Sequence, residues 1–184
     1  MQYQKGLITE IHLPSTQWST ITEHCLRKLS GRYMAQEMQE PKAFGLLGGI
    51  IEERHIIISH AQPLLRNARQ RDCNKQFMDG TMGMHAIPSE TPLDKRGWVA
   101  DPNELHSALD TFRTKGIRIL GTYHMHRVAW EHDQTRDTPT ELDNILAQNS
   151  RLFMFIISMV NPASPIIKAY FEGDCKQELP IIIR

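Results

Sequence analysis

The sequence predicts an α/β or α+β fold in which helices flank a central mixed sheet of about six strands. Three observations predict it. Short runs rich in β-branched residues recur along the chain. Helical patterns with apolar residues at spacings of three and four lie between them, bounded by capping residues and glycine. The 184 residues suffice for one domain with one core, taken as residues 1–184.

Residues 6–13 read as an edge strand, ended by Pro14. Ser15 opens a helix with Trp18, Ile21, Cys25, Leu26 and Leu29 on its apolar side, and residues 33–41 are polar without a period. The apolar runs 43–51 and 54–61 are joined by polar residues and pair as a hairpin. Residues 63–97 mix asparagine, glycine, proline and charges of both signs, which predicts a long insertion loop. Its Met78, Met82 and Met84 offer an adaptable contact surface. The clearest helix follows, with Asp101 as cap, Pro102 in the first position, Glu104 as in a capping box and Gly116 as the stop. Residues 117–123 form a strand. The pattern Thr138-Pro139-Thr140-Glu141 opens another helix, and runs at 152–160, 166–171 and 179–183 close the chain as strands.

Charge excludes several functions. Lys+Arg and Asp+Glu both number 21, so the net charge is zero, which argues against a nucleic-acid or polybasic membrane-surface protein. Cys25, Cys73 and Cys175 form no CxxC pair, so neither a disulfide framework nor a cysteine zinc knuckle is expected, and a reducing cytoplasm fits. Residues 152–160, the longest apolar run, are too short to span a membrane, and the first ten residues lack the apolar core of a signal peptide. There is no P-loop and no GxSxG elbow. Cys73 sits near Arg69 and Arg71, but nothing specifies a base for a cysteine nucleophile.

The nine histidines are the unusual component, and two of them, His124 and His126, end a strand. Strand side chains two apart share a face, so both imidazoles can chelate one ion. A zinc site of the catalytic type then needs a third protein ligand, with Glu131, Asp133, Asp137 and Asp143 as candidates. The bland alternative is two histidines making surface hydrogen bonds.

The surrounding order of elements sharpens this. Gly45-Leu46-Leu47-Gly48-Gly49 lies in an apolar strand, Tyr123-His124-Met125-His126 ends another, Pro139-Thr140-Glu141-Leu142-Asp143 begins a helix, and Phe155-Ile156-Ile157-Ser158 follows as a buried strand. Over residues 45–173 the chain resembles the MPN/JAMM (JAB) zinc metallopeptidase family. The resemblance implies an MPN/JAB-like single domain with zinc on His124, His126 and Asp143. Thr140 would take the place of the family's oxyanion-stabilising serine. The implied reaction is hydrolysis of an amide or isopeptide bond by metal-activated water, in a peptide or the C-terminal tail of a ubiquitin-like protein. The chain would then be a cytoplasmic hydrolase, and a homodimer is admitted.

Two departures stand out. The family's spacing after the second histidine points at Asp137, reached after residues 127–136, whereas local context points at Asp143, reached after a loop insertion. Lys42 stands three residues before Gly45, where the family has its general-base Glu. A protonated lysine cannot accept a proton. Either Glu40 replaces that base, or the domain is a catalytically degenerate binding or scaffold module. Arg127 replaces a proline beside the histidines. It could read a substrate carboxylate, and an exposed loop arginine is the preferred reading.

Overall fold

A computed structural model of the chain describes residues 7–89 and 91–184. Gly6, the expected start of the first strand, and Glu90, in the expected loop, lie outside the described residues. Along the chain run β1 (Glu10–Leu13), α1 (Ser15–Leu29), β2 (Phe44–Glu52), β3 (His55–Leu64), α2 (Asp72–His85) and a 3₁₀ turn (Leu93–Lys95). They are followed by α3 (Pro102–Thr114), β4 (Arg118–His126), α4 (Glu141–Ala147), β5 (Phe153–Ser158), β6 (Ile166–Phe171), β7 (Glu178–Leu179) and β8 (Ile181–Ile183). No described helix is long and apolar enough to cross a membrane.

All eight strands among the described residues belong to one mixed sheet in the order β7-β6-β5-β4-β2-β3-β1-β8. β7 and β8 lie at opposite ends of that order, yet only Pro180 separates them in the chain. The sheet must therefore curl until its ends meet, and β6 indeed touches β8. This corrects the expected central sheet of about six strands flanked by helices: the described residues form a mixed α+β fold with one nearly closed, barrel-like sheet of eight strands and four α-helices. The physical reason lies at Pro180, which has no N–H for a ladder. The single apolar run at 179–183 thus splits into two short strands that pair with β6 and β1.

The main core joins Ile21 and Cys25 of α1 to Leu47, Ile58, Tyr123, Phe155 and neighbours from the curled sheet. On the opposite face Phe112 and Ala108 of α3 pack on Leu46 and Leu64. Strand alternation decides what β4 offers each side. Tyr123 is fully buried in the α1 core, so His124, the next residue along β4, takes the other face.

Residues 63–97 are not a loop throughout, because α2 occupies much of the span. Only Met78, Thr81 and Met82 of α2 are buried, and no side chain caps its start, so its periodic signal is weak. Arg69 supplies the anchorage. It is 1% exposed and donates to Asp79 at 2.5 Å and to the carbonyl of Arg96 at 3.2 Å, pinning α2 against the segment that follows. Asp101 caps α3 as expected, accepting from the Asn103 and Glu104 N–H groups. Glu104 does not close a capping box. Its carboxylate accepts from the backbone of Leu65 and Arg66 at 2.7 and 2.8 Å, tying α3 to the end of β3.

Candidate metal centre

The sheet register brings the two histidines to the junction of three strands. His124 lies opposite Phe44 of β2 and Ile156 of β5, and His126 opposite Ser158. Their Nε2 atoms are 3.0 Å apart. Asp143, in the first turn of α4, places its carboxylate oxygens 3.6 Å from His124 Nε2 and 3.8 Å from His126 Nε2. In a tetrahedral zinc site two ligand atoms at about 2.05 Å from the ion lie roughly 3.3 Å from one another. The three separations straddle that value, so these residues fit zinc with small side-chain adjustments.

The surroundings orient each ligand. The backbone carbonyl of Arg136 accepts from His126 Nδ1 at 2.9 Å, which leaves the Nε2 lone pair facing Asp143 and His124. Arg136 achieves this at φ +51°, a left-handed backbone that costs roughly 1–3 kcal/mol in a non-glycine residue. Thr140 caps α4, and both its N–H and its hydroxyl donate to Asp143 Oδ2 at 2.8 Å. The hydroxyl assigned by resemblance to an oxyanion role is thus turned toward Asp143. Burial lowers the His124 pKa, and burial together with His124 pulls His126 well below the usual imidazole range. Both favour the neutral, metal-binding imidazole. Burial works to raise the Asp143 pKa, but the imidazoles and Thr140 hold it below the ordinary carboxylate value.

Of the alternative acids, Asp137 points elsewhere: it accepts from Thr135 Oγ1 at 2.9 Å and faces Lys168 at 3.4 Å. Asp133 is engaged by Thr138 and by the backbone of Arg136. His124, His126 and Asp143 come together as the resemblance implies, and Asp137 does not join them.

The triad opens into a cavity of ≈ 650 Å³. Phe77, Met78 and Met82 of α2 and Leu142 and Leu146 of α4 supply apolar wall, so the expected insertion covers the site. Among the described residues the charged wall is cationic apart from Asp143: Lys42, Lys95, Arg96, Arg127 and Arg136 line it. Lys42 Nζ donates to Glu40 Oε2 at 2.8 Å and to the Gly97 carbonyl at 3.1 Å. The other Glu40 oxygen accepts from Asn67 at 2.7 Å. Glu40 is not among the lining residues and is not brought to the histidines.

Sequence reasoning missed two features. Arg136 carried no signal beyond its place in the expected insertion. Glu10, His12 and His55 form a second group able to hold an ion on β1 and β3. His12 Nε2 is 2.6 Å from Glu10, which is paired in register with His55. The Glu-x-His spacing on a strand was its only sequence signal.

No family model matches the sequence, and no curated protein matches it. Among solved structures, the fold is similar to the solution structure of protein DSY2949 from Desulfitobacterium hafniense. The TM-score is 0.62 at 23% identity, over 95% of this chain and 92% of that one. The likeness is one of fold.

Proposed function

We propose that the protein is a cytoplasmic zinc-dependent hydrolase of the MPN/JAMM kind, cleaving an amide bond in a peptide or in the tail of a ubiquitin-like protein. The observation that carries this reading is the convergence of His124, His126 and Asp143 at the wall of one cavity. A zinc ion held there would act as a Lewis acid toward a carbonyl and activate a water for attack. Water adds across the C–N bond, leaving a carboxylic acid and an amine.

The chain's own residues prepare the site. Arg136 fixes the His126 tautomer through its carbonyl, and Thr140 holds Asp143 through two hydrogen bonds. Met78, Met82 and Leu142 keep the wall apolar, which strengthens electrostatic interactions inside. In this reading Glu40 would be the proton-accepting carboxylate, and it could reach the cavity only by leaving its 2.8 Å contact with Lys42 Nζ.

The same pair favours a second reading, a degenerate binding module. Lys42 presents an ammonium where the reaction needs a proton acceptor, and Glu40 is already held by two donors.

Metal analysis of protein purified without chelators, with amide hydrolysis by wild type and Glu40→Gln, separates the two. Stoichiometric zinc with turnover that falls in Glu40→Gln supports the hydrolase. Equal rates remove Glu40 from the mechanism, and zinc without turnover selects the binding module. Protein that neither carries nor takes up zinc sinks the hydrolase reading.

A further inference from the structure

Two residues that line the cavity beside the metal centre each carry a buried nitrogen with no hydrogen-bond partner, Arg136 at Nη1 and Trp98 at Nε1. Arg136 matters more, because its side chain is only 9% exposed. A buried donor left unpaired is costly, and a charged one more so. Its neighbours do not resolve this. Asp133 Oδ2 stands 3.6 Å from Nη1, within ion-pair range but beyond a hydrogen bond. Trp130 stacks under the guanidinium at 3.4 Å and satisfies no N–H. Asp143, the other carboxylate acting on it, has its Oδ2 bonded to Thr140. Lys42, Lys95, Arg96 and Arg127 add positive charge to the same wall.

An apolar, cationic cavity with an unpaired guanidinium N–H is built to receive an oxyanion on an otherwise apolar molecule. We propose that Arg136 is an anion-recognition residue that binds the free carboxylate of the ligand, with Trp98 Nε1 donating to a second acceptor on the same molecule. Resting on the hydrolase reading, this names the substrate class: peptides or acylated amino acids with a free C-terminal carboxylate, cut close to that end. The water oxygen joins the acyl carbon, and the departing amine keeps the recognised carboxylate.

Isothermal titration calorimetry tests this on the full chain, once loaded with zinc and once in EDTA. The probes are N-acetyl-glycyl-leucine and its C-terminal carboxamide, which differ only in the charged group. The acid should bind roughly 10–100-fold more tightly than the amide, the range for a hydrogen bond to a charged group. The preference should persist in EDTA and collapse in Arg136→Gln. Equal binding of acid and amide by wild type, or no binding of either, overturns the proposal. That wild-type comparison stands even where Arg136→Gln fails to fold. A preference retained in folded Arg136→Gln also overturns it. Because the EDTA arm needs no metal, an acid preference there with no zinc uptake would sink the hydrolase reading and leave the anion site standing. Zinc uptake without an acid preference would do the reverse.

Discussion

The backbone carbonyl of Arg136 accepts a hydrogen bond from His126 Nδ1 at 2.9 Å, so a residue in the left-handed region sets the tautomer of a histidine in the candidate metal centre. Thr140 plays the matching part for Asp143. Removing the Thr140 hydroxyl in Thr140→Val should therefore lower zinc affinity about 10–100-fold, the usual effect of losing an outer-shell partner. His126→Ala should lose stoichiometric zinc, and Asp137→Asn should keep it, since Asp137 faces Lys168. Competition with a chromophoric chelator measures all three. Loss of zinc in Asp137→Asn with retention in Asp143→Asn would reverse the ligand assignment.

Lys42 separates the two functional readings. A carboxylate at this position would line the cavity that the triad shares. Lys42→Glu should raise amide hydrolysis by roughly 10²–10⁴-fold, the range for a positioned general base. Glu40 lies 2.8 Å from the replaced ammonium, so the variant is best paired with Glu40→Gln to remove the clash of like charges. Turnover of a fluorogenic peptide by zinc-loaded protein provides the measurement. If neither variant exceeds wild type, Lys42 is not what limits the chemistry.

The histidine pair was legible because strand alternation is local: His124 and His126 share a face whatever the rest of the chain does. Asp143 was reached through the resemblance carried by Pro139-Thr140-Glu141-Leu142-Asp143, whereas the capping pattern expected from Thr138 to Glu141 falls two residues later, where Thr140 and Asp143 bond reciprocally. The barrel-like closure was not legible, since it depends on β7 and β8 pairing with strands far away in sequence. Nor was the buried group of His24, Lys28 and Glu37, because residues 33–41 have no period and the burial of Glu37 is set by α1. Arg136 faces the cavity through one local backbone conformation that no periodicity encodes.

The glycines of β2 and α2 should respond oppositely to alanine. A Cβ on Gly49 would come 1.9 Å from the Ile57 carbonyl oxygen, at a register shift between β2 and β3. Neither backbone can yield without breaking the ladder, so Gly49→Ala should destabilise by roughly 2–4 kcal/mol. Gly80 and Gly83 meet nothing within 4 Å in α2. Gly80→Ala should stabilise by about 0.5–1 kcal/mol through helix propensity. Urea denaturation with a common m-value reads both. A stabilised Gly49→Ala would show that the bulge is not as tight as drawn.

His24 gives the fold a pH dependence separate from the metal centre. It is 2% exposed, with Nδ1 at 2.8 Å from the Tyr123 hydroxyl and Nε2 at 3.5 Å from Glu37. Burial lowers its pKa to about 4, although Glu37 pulls the other way. The unfolded chain, near the ordinary value of 6.5, then binds a proton that the folded chain refuses. Stability is full above the unfolded value, falls as pH drops from there, and stops falling near the folded value. The total loss is on the order of 3 kcal/mol. His24→Gln removes this titration but keeps a polar group beside Tyr123. Urea unfolding in EDTA at pH 7.5 and pH 5 should show wild type ahead at the higher pH and the gap narrowing by roughly 1–2 kcal/mol at the lower. The other histidines titrate in both proteins and cancel in the comparison. A gap that stays constant, or widens on acidification, would mean that His24 is protonated in the folded state.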